Sequence, residues 1–98
     1  MSITVLSEYH CREAQVDEFI RLAHQMLPAA RRSKGCKSIY FTISQNDKLH
    51  VILIAVWNSI IDHQNFTQHQ AVSGNLMATQ KLLEGFPKHT YLSNLNDF

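Results

Sequence analysis

Histidine is the residue type whose number most strongly suggests chemistry in this chain, because 98 residues contain six of them. An imidazole titrates near neutral pH, so a histidine can accept a proton or bind a metal ion. His63 and His69 are six residues apart, which on an α-helix is a rotation of about 240°, so their rings do not share a face. We therefore expect no metal site from this pair. No other spacing matches a recognised metal, nucleotide or Ser-His-Asp motif.

His10 and His50 form a second candidate group, because they lie at the ends of two predicted strands. If the first and third strands are antiparallel neighbours, these two ends meet. The two imidazoles, together with Glu8, would then lie within reach of one another. The alternative is a pair of solvent-exposed strand ends with no chemical role.

Two tyrosines carry hydroxyl groups on predicted strands, namely Tyr9 and Tyr40. Either hydroxyl could point into a cavity between a sheet and its helices and orient a substrate carbonyl. The alternative is that both are half-buried sheet residues, a setting that suits tyrosine.

Three segments alternate with the period of two that is typical of strands. They are residues 3–10, 38–44 and 49–57, and the polar residues 45–48 between the last two predict an antiparallel hairpin. The third strand is apolar on both faces, so it needs cover on both sides. Helices of one small domain cover one face of a sheet, so we expect a second copy of the chain to cover the other in a homodimer.

Two helical regions separate the strands. Residues 16, 19, 20, 23, 27 and 30 form one apolar helical stripe, and Ser59 is placed to cap a short helix over residues 60–69. Gly74 predicts a break at or near its position. Residues 72, 76, 79, 83 and 86 form a second stripe, and residues 89–95 a last strand. The order β-α-β-β-α-β predicts an α+β, ferredoxin-like fold, a four-stranded antiparallel sheet with helices on one face.

Composition limits the class of protein. At 98 residues with 45% hydrophobic side chains, the chain is expected to form a single domain spanning residues 1–98. A net charge of +1 gives no electrostatic footprint for nucleic acid or an anionic membrane. The longest apolar run, residues 51–57, is too short to span a bilayer, and the N-terminus lacks a signal-peptide layout. With two cysteines, Cys11 and Cys36, we expect a cytoplasmic protein.

Several segments together are similar to a known family. They are residues 3–6, 26–32, 35–36, 38–43 and, above all, 56–59 (Val-Trp-Asn-Ser), where the third strand gives way to a helix. The chain resembles the antibiotic biosynthesis monooxygenase domain, a dimeric α/β-barrel family in which two sheets pack back to back. The family includes oxygenases that act on quinols or aromatic polyketide precursors without metal or flavin, haem-degrading enzymes, isomerase-like members and proteins without known activity.

The resemblance implies roles for particular residues. Trp57 would wall a cavity and His63 would accept a phenolic proton, and the remaining candidate substrate-binding residues are Phe66, Tyr9, Tyr40 and His69. Haem degradation is disfavoured, because the first strand carries Ser7 and Glu8 and no asparagine.

The implied function is a cofactor-independent monooxygenase that oxidises a quinol-like or polycyclic phenolic small molecule with molecular oxygen. Two alternatives stay open: a small-molecule-binding or isomerase-like protein of the same fold, and a non-catalytic dimeric module.

Overall fold

The fold is described by a computed structural model over residues 2–96. In chain order its elements are β1 (Ile3–His10), α1 (Val16–Arg31), β2 (Cys36–Ile43), β3 (His50–Trp57), α2 (Ile60–Ser73), α3 (Asn75–Gln80) and β4 (Lys88–Ser93). All four predicted strands are present, each within about two residues of its predicted bounds.

The strands form one antiparallel sheet in the order β2-β3-β1-β4. The first and third strands are the central neighbours, with Val5 opposite Ala55 and Ile3 opposite Trp57. Strand β4 pairs with the other side of β1, which places His89 opposite Ser7. This is the predicted ferredoxin-like α+β arrangement, with the helices packed on one face of the sheet.

The main core lies between the inner face of the sheet and α1. Alternation along the strands turns Val5, Ala55 and Trp57 toward the helices, where they meet Leu27 and Ala30 of α1. Trp57 and Val5 are each only 1% exposed. A second cluster at the other end of the same face contains Cys11, Phe19, Val51 and Leu83. Burial of the α1 stripe against the sheet therefore confirms the first predicted helix.

The last helical stripe is predicted wrongly. Gly74 adopts φ +86°, ends α2 and restarts the chain as the six-residue helix α3. This break separates Val72 from the residues after it, and Val72 and Phe86 are 82% and 89% exposed. Leu83 is buried, but it lies beyond the end of α3. A pattern with helical spacing is not one helix face when a left-handed glycine interrupts it.

The outer face of the sheet carries apolar side chains that none of the described helices, α1 to α3, covers. Leu6, Ile52, Ile54 and Val56 lie on the two central strands and alternate with the inward-facing residues. Ile54 is 37% exposed. No helix within residues 2–96 combines the length and apolar character needed to cross a membrane.

Candidate functional site

A cavity lies between the inner face of the sheet and the three helices. It is partly open to solvent and has an internal volume of about 130 Å³. An engineered apolar cavity of about 150 Å³ admits a benzene molecule, so this space holds one aromatic ring. Most of the lining is apolar; its polar members are Ser7, Tyr9, His63, Thr67, Gln70, Asn75, Thr79 and His89.

One wall of the cavity is aromatic. The indole of Trp57 packs against the ring of Phe66 with centroids 5.4 Å apart, and against the His63 ring at 5.5 Å. Across the cavity, Tyr9 and Phe19 form a second tilted pair at 5.2 Å. Aromatic side chains at such distances form a rigid apolar surface onto which a flat ring can pack.

Polar side chains lie beside this aromatic wall, and His63 belongs to both. Nδ1 of His63 and the Tyr91 hydroxyl are hydrogen-bonded at 3.0 Å, and Nδ1 of His89 and the Ser7 hydroxyl at 2.7 Å. The His63 and His89 rings meet edge to face, 5.2 Å apart. Ser7 and His63 are 5% and 6% exposed. Four polar side chains from three elements therefore converge beside the apolar space.

Burial controls the charge of this polar group. Burial, and next the charge that His89 would carry, lower the pKa of His63 to about 4. Burial also lowers the pKa of His89, because its ring faces the cavity although part of the residue is exposed. Both imidazoles are consequently neutral at pH 7. Burial raises the pKa of Tyr9, which stays a phenol although the Ser7 hydroxyl partly offsets the shift.

Local sequence explains why these side chains meet. Ser59 caps α2 by accepting a hydrogen bond from the Asp62 backbone N–H at 3.1 Å, which fixes the helix start. From there His63, Phe66 and Thr67 follow at i, i+3 and i+4, so they share the face turned to the cavity.

Four of the six predicted site residues line the cavity: His63, Trp57, Phe66 and Tyr9. Tyr40 does not, because it lies between the inward-facing Ile39 and Phe41 and its side chain is 66% exposed on the outer face. His69 does not either; it is exposed beside a shallow groove that also contains Lys34 and Asp62. The structure thus places both residues outside the cavity.

Three residues of the polar group were not predicted, namely Ser7, His89 and Tyr91. Alternation along the strands could have identified them. Ser7 lies on the same strand face as the inward-facing Val5 and Tyr9, and His89 and Tyr91, two residues apart on β4, share a face as well. The register between β1 and β4 was the missing information.

Potential metal ligands gather away from the cavity. Among residues 2–96, a group of three with ligand atoms within 4.8 Å of one another consists of His10, Asp47 and His50. In the cavity the Nδ1 atoms of both histidines are already hydrogen-bonded to protein groups. The cavity has a mostly apolar lining, which suits it to an organic molecule.

Solved structures with this fold are numerous. A Bordetella bronchiseptica protein assigned to the antibiotic biosynthesis monooxygenases superposes with a TM-score of 0.85 at 14% identity, over 97% of this chain and 98% of that one. A variant of SnoaB, a cofactor-independent oxygenase from Streptomyces nogalater, gives 0.80 at 14% identity, over 98% and 95%. Rv0793 from Mycobacterium tuberculosis gives 0.81 at 18% identity, over 99% and 98%. At these identities the likeness establishes the fold.

The sequence comparisons match a family model but no individual curated protein. No curated protein sequence matches the chain. The family model described as antibiotic biosynthesis monooxygenase matches residues 2–74. This range includes β1 to β3, α1 and α2, and the parts of the cavity lining outside it come from α3, Pro87 and β4. The chain belongs to the antibiotic biosynthesis monooxygenase family.

Proposed function

We propose that this protein is a cofactor-independent monooxygenase that oxidises a quinol-like phenol with molecular oxygen in the cavity beside Trp57. The observation that carries the proposal is the pairing of an aromatic wall with a buried, neutral histidine, His63, inside a space of one-ring size. SnoaB, a cofactor-independent oxygenase with the same fold, supports the same reaction class.

The cavity volume limits the size of the substrate. About 130 Å³ admits one aromatic ring in this conformation, and that favours a quinol-like ring over a polycyclic phenol. The ring would pack against Trp57 and Phe66, and its hydroxyl would face His63 and His89. A larger substrate would leave further rings at the open side of the cavity, near Leu76 and Pro87.

The first step is a proton transfer. Neutral His63 is in its proton-accepting form at pH 7, but a pKa of about 4 makes it a weak base in the empty site. A phenolate that forms next to it raises this pKa, because opposite charges attract strongly in a site with little water. The hydrogen bond between Nδ1 of His63 and the Tyr91 hydroxyl holds the ring in place for the transfer. The histidine therefore becomes a base only as the substrate ionises.

The second step uses molecular oxygen as the oxidant. The phenolate transfers one electron to O₂, and the resulting radical and superoxide combine at an ortho or para ring carbon that carries a hydrogen, in a quinol an ortho carbon, which forms a C–O bond. Loss of the proton from that carbon breaks the O–O bond and leaves a carbonyl group. The departing oxygen leaves as water, with the proton that His63 returns. One oxygen atom enters the product, the other becomes water, and the substrate supplies all four electrons.

We also propose that the protein is a homodimer joined through the outer faces of its sheets. The chain exposes 6598 Å², whereas the area expected for a folded monomer of 11.3 kDa is about 5,700 Å². The excess is close to the roughly 800 Å² that each partner buries in a standard interface. The outer face supplies apolar residues on adjacent strands, and a second copy covers them symmetrically.

The dimer is tested by analytical ultracentrifugation of two matched variants. Ile54→Lys places a charge at the centre of the outer face and should convert a species of twice 11.3 kDa into a monomer. Ile61→Lys, at an isoleucine that is 66% exposed on α2, is the control and should stay dimeric. A wild-type protein that sediments as a monomer at micromolar concentration would contradict the proposed assembly.

Oxygen uptake tests the proposed reaction. Chelator-treated protein is mixed with a panel of hydroquinones, naphthols and hydroxy-anthrones, and uptake is corrected for oxidation without protein. His63→Gln should lower kcat by about 10²-fold or more, the usual contribution of a general base, whereas the exposed His24→Ala should change little. Uptake that is unchanged in His63→Gln would contradict the role of His63.

The low basicity of His63 also favours one alternative, a small-molecule-binding protein without oxygenase activity. In that case, an aromatic ligand from the same panel would bind and quench Trp57 fluorescence without consuming oxygen. Uptake and quenching measured on the same samples therefore separate the two functions.

A further inference from the structure

We propose that His10, Asp47 and His50 form a binding site for a divalent transition-metal ion, of which Zn²⁺ is the representative. The site lies at the end of the β1–β3 pair opposite Trp57, because His10 pairs with His50 and Ile3 pairs with Trp57. Seven residues of strand separate these ends, or about 24 Å. The site is also on the outer face of the sheet, so it is distinct from the aromatic cavity.

The sheet register brings the two histidines together. Next to the histidines on the two strands, Cys11 and Leu49 form a hydrogen-bonded pair, because the Cys11 backbone N–H donates to the Leu49 carbonyl at 2.7 Å. Hydrogen-bonded and non-hydrogen-bonded pairs alternate along an antiparallel ladder, so His10 and His50 are the closer, non-hydrogen-bonded kind. Their rings are stacked with centroids 4.3 Å apart. Two imidazoles in this position can turn their nitrogens toward one ion.

The β2–β3 turn supplies the third ligand. The carboxylate of Asp47 accepts a hydrogen bond from the Leu49 backbone N–H through Oδ1 at 3.0 Å, and its carbonyl accepts one from the His50 backbone N–H. Ser44 Oγ accepts from the Asp47 backbone N–H at 3.2 Å. These bonds fix Asp47 beside the histidine pair and leave Oδ2 for a ligand.

The distances between the three ligand atoms are short enough for the side chains to close around an ion. The three ligand atoms lie within 4.8 Å of one another, whereas tetrahedral ligands of Zn²⁺ are about 3.3 Å apart. His10 and Asp47 are exposed, so small side-chain rotations can close this difference. Solvent would fill the fourth position.

A second observation independently points to a missing partner. Nε2 of His50 is buried, and within residues 2–96 no group is placed to hydrogen-bond with it. The Oε1 atom of Glu8 is 3.2 Å away but not aligned for a hydrogen bond. Buried polar atoms are normally paired, so this nitrogen is set for a bond that the protein alone does not supply. Because Glu8 Oε1 is near this same nitrogen, its carboxylate would lie beside the bound ion.

The donor set selects the class of ion. Two imidazoles and one carboxylate suit Zn²⁺, Ni²⁺ or Cu²⁺, whereas Mg²⁺ and Ca²⁺ require mainly oxygen ligands. The sequence predicts that His10 lies beside His50, but it does not identify Asp47, because the ligands come from two strands and a turn and no local motif contains all three.

Calorimetric titration of chelator-stripped, tag-free protein with Zn²⁺ tests the proposal. We expect one Zn²⁺ per chain and no binding of Mg²⁺. His10→Ala, His50→Ala and Asp47→Asn should each weaken binding by more than about 10-fold. Glu8→Gln should weaken binding less, because it removes a negative charge beside the ion. The matched control is His24→Ala, an exposed histidine outside the group, which should bind as the wild type does.

Two results would overturn the site: binding that is equally strong in His10→Ala, or no saturable binding by the wild type. A measurement on the unmodified protein guards against misfolded variants. Zn²⁺ should shift the imidazole NMR signals of His10 and His50 and leave those of His24 unchanged. Shifts at His63 or His89 instead would move the metal to the cavity and refute the proposed location.

Discussion

Acid is predicted to destabilise the folded protein through His63, whose ring is buried without a charge. Its pKa is about 4 in the folded chain, against 6.5 for a free histidine. The unfolded chain therefore takes up a proton more readily than the folded one between these two values. Stability is highest above about pH 6.5 and falls as the pH is lowered toward 4.

The size of the effect follows from the pKa difference. Each unit corresponds to about 1.4 kcal/mol, so the full effect is about 3 kcal/mol. Between pH 7.5 and pH 5 the linkage relation gives a loss of about 2 kcal/mol in the free energy of unfolding. Since His63 is only 6% exposed, solvent screening does not reduce this figure much. The lowered pKa of His89 acts in the same direction.

Urea unfolding at the two pH values, at one fixed protein concentration, measures the loss. The comparison is between the wild type and His63→Gln, because glutamine does not titrate and every other group is common to both. We expect the wild type to lose about 2 kcal/mol more than His63→Gln as the pH falls. Equal losses in the two proteins would refute the conclusion that the folded protein buries a neutral imidazole at this position.

Two further predictions concern the loop and helix cap that hold α2. Gly35→Ala should lower the free energy of unfolding by at least about 1 kcal/mol more than Gly74→Ala. Both glycines have φ near +85°, but a Cβ at residue 35 would overlap the Asp62 carboxylate, whereas residue 74 has open space. Ser59→Ala should cost about 1 kcal/mol by removing the cap to the Asp62 N–H, and Ser73→Ala, at an exposed serine, less than about 0.5 kcal/mol. Thermal or urea unfolding of the four variants measures these costs. Equal costs for Gly35→Ala and Gly74→Ala would contradict the close approach to Asp62, and equal costs for Ser59→Ala and Ser73→Ala would contradict the helix cap.

The sheet was predictable because its signals are local. Alternation in residues 3–10, 38–44 and 49–57 defines three strands, and a third strand that is apolar on both faces has to be central. The observed order, with β1 and β3 in the middle, agrees with this reasoning. The last helix was not predictable from spacing alone, because Gly74 changes the direction of the chain within the apparent stripe.

The candidate site was predictable only in part, for a related reason. His63 and Phe66 lie on one helix face, and Trp57 ends the central strand, so local pattern and family resemblance identify them. Ser7 and His89 meet across β1 and β4, strands separated by about 80 residues of sequence. A contact of this kind depends on strand register, and periodicity does not specify register between distant strands.

The histidine pair shows the same dependence on register. Adjacency of His10 and His50 followed from placing the first and third strands side by side, and the structure confirms it with stacked rings. The contribution of Asp47 did not follow, because the conformation of the β2–β3 turn decides where that carboxylate points.

Isotope labelling with ¹⁸O₂ tests the central claim most directly. Chelator-treated protein, supplied with a phenol from the panel that it consumes, should yield a product containing one ¹⁸O atom, with one O₂ used per product. Ala23→Phe, which fills the cavity from α1, should abolish labelling while the fold is retained. Absence of labelled product from every phenol tested, or labelling that is undiminished in Ala23→Phe, would contradict oxygenation in this cavity.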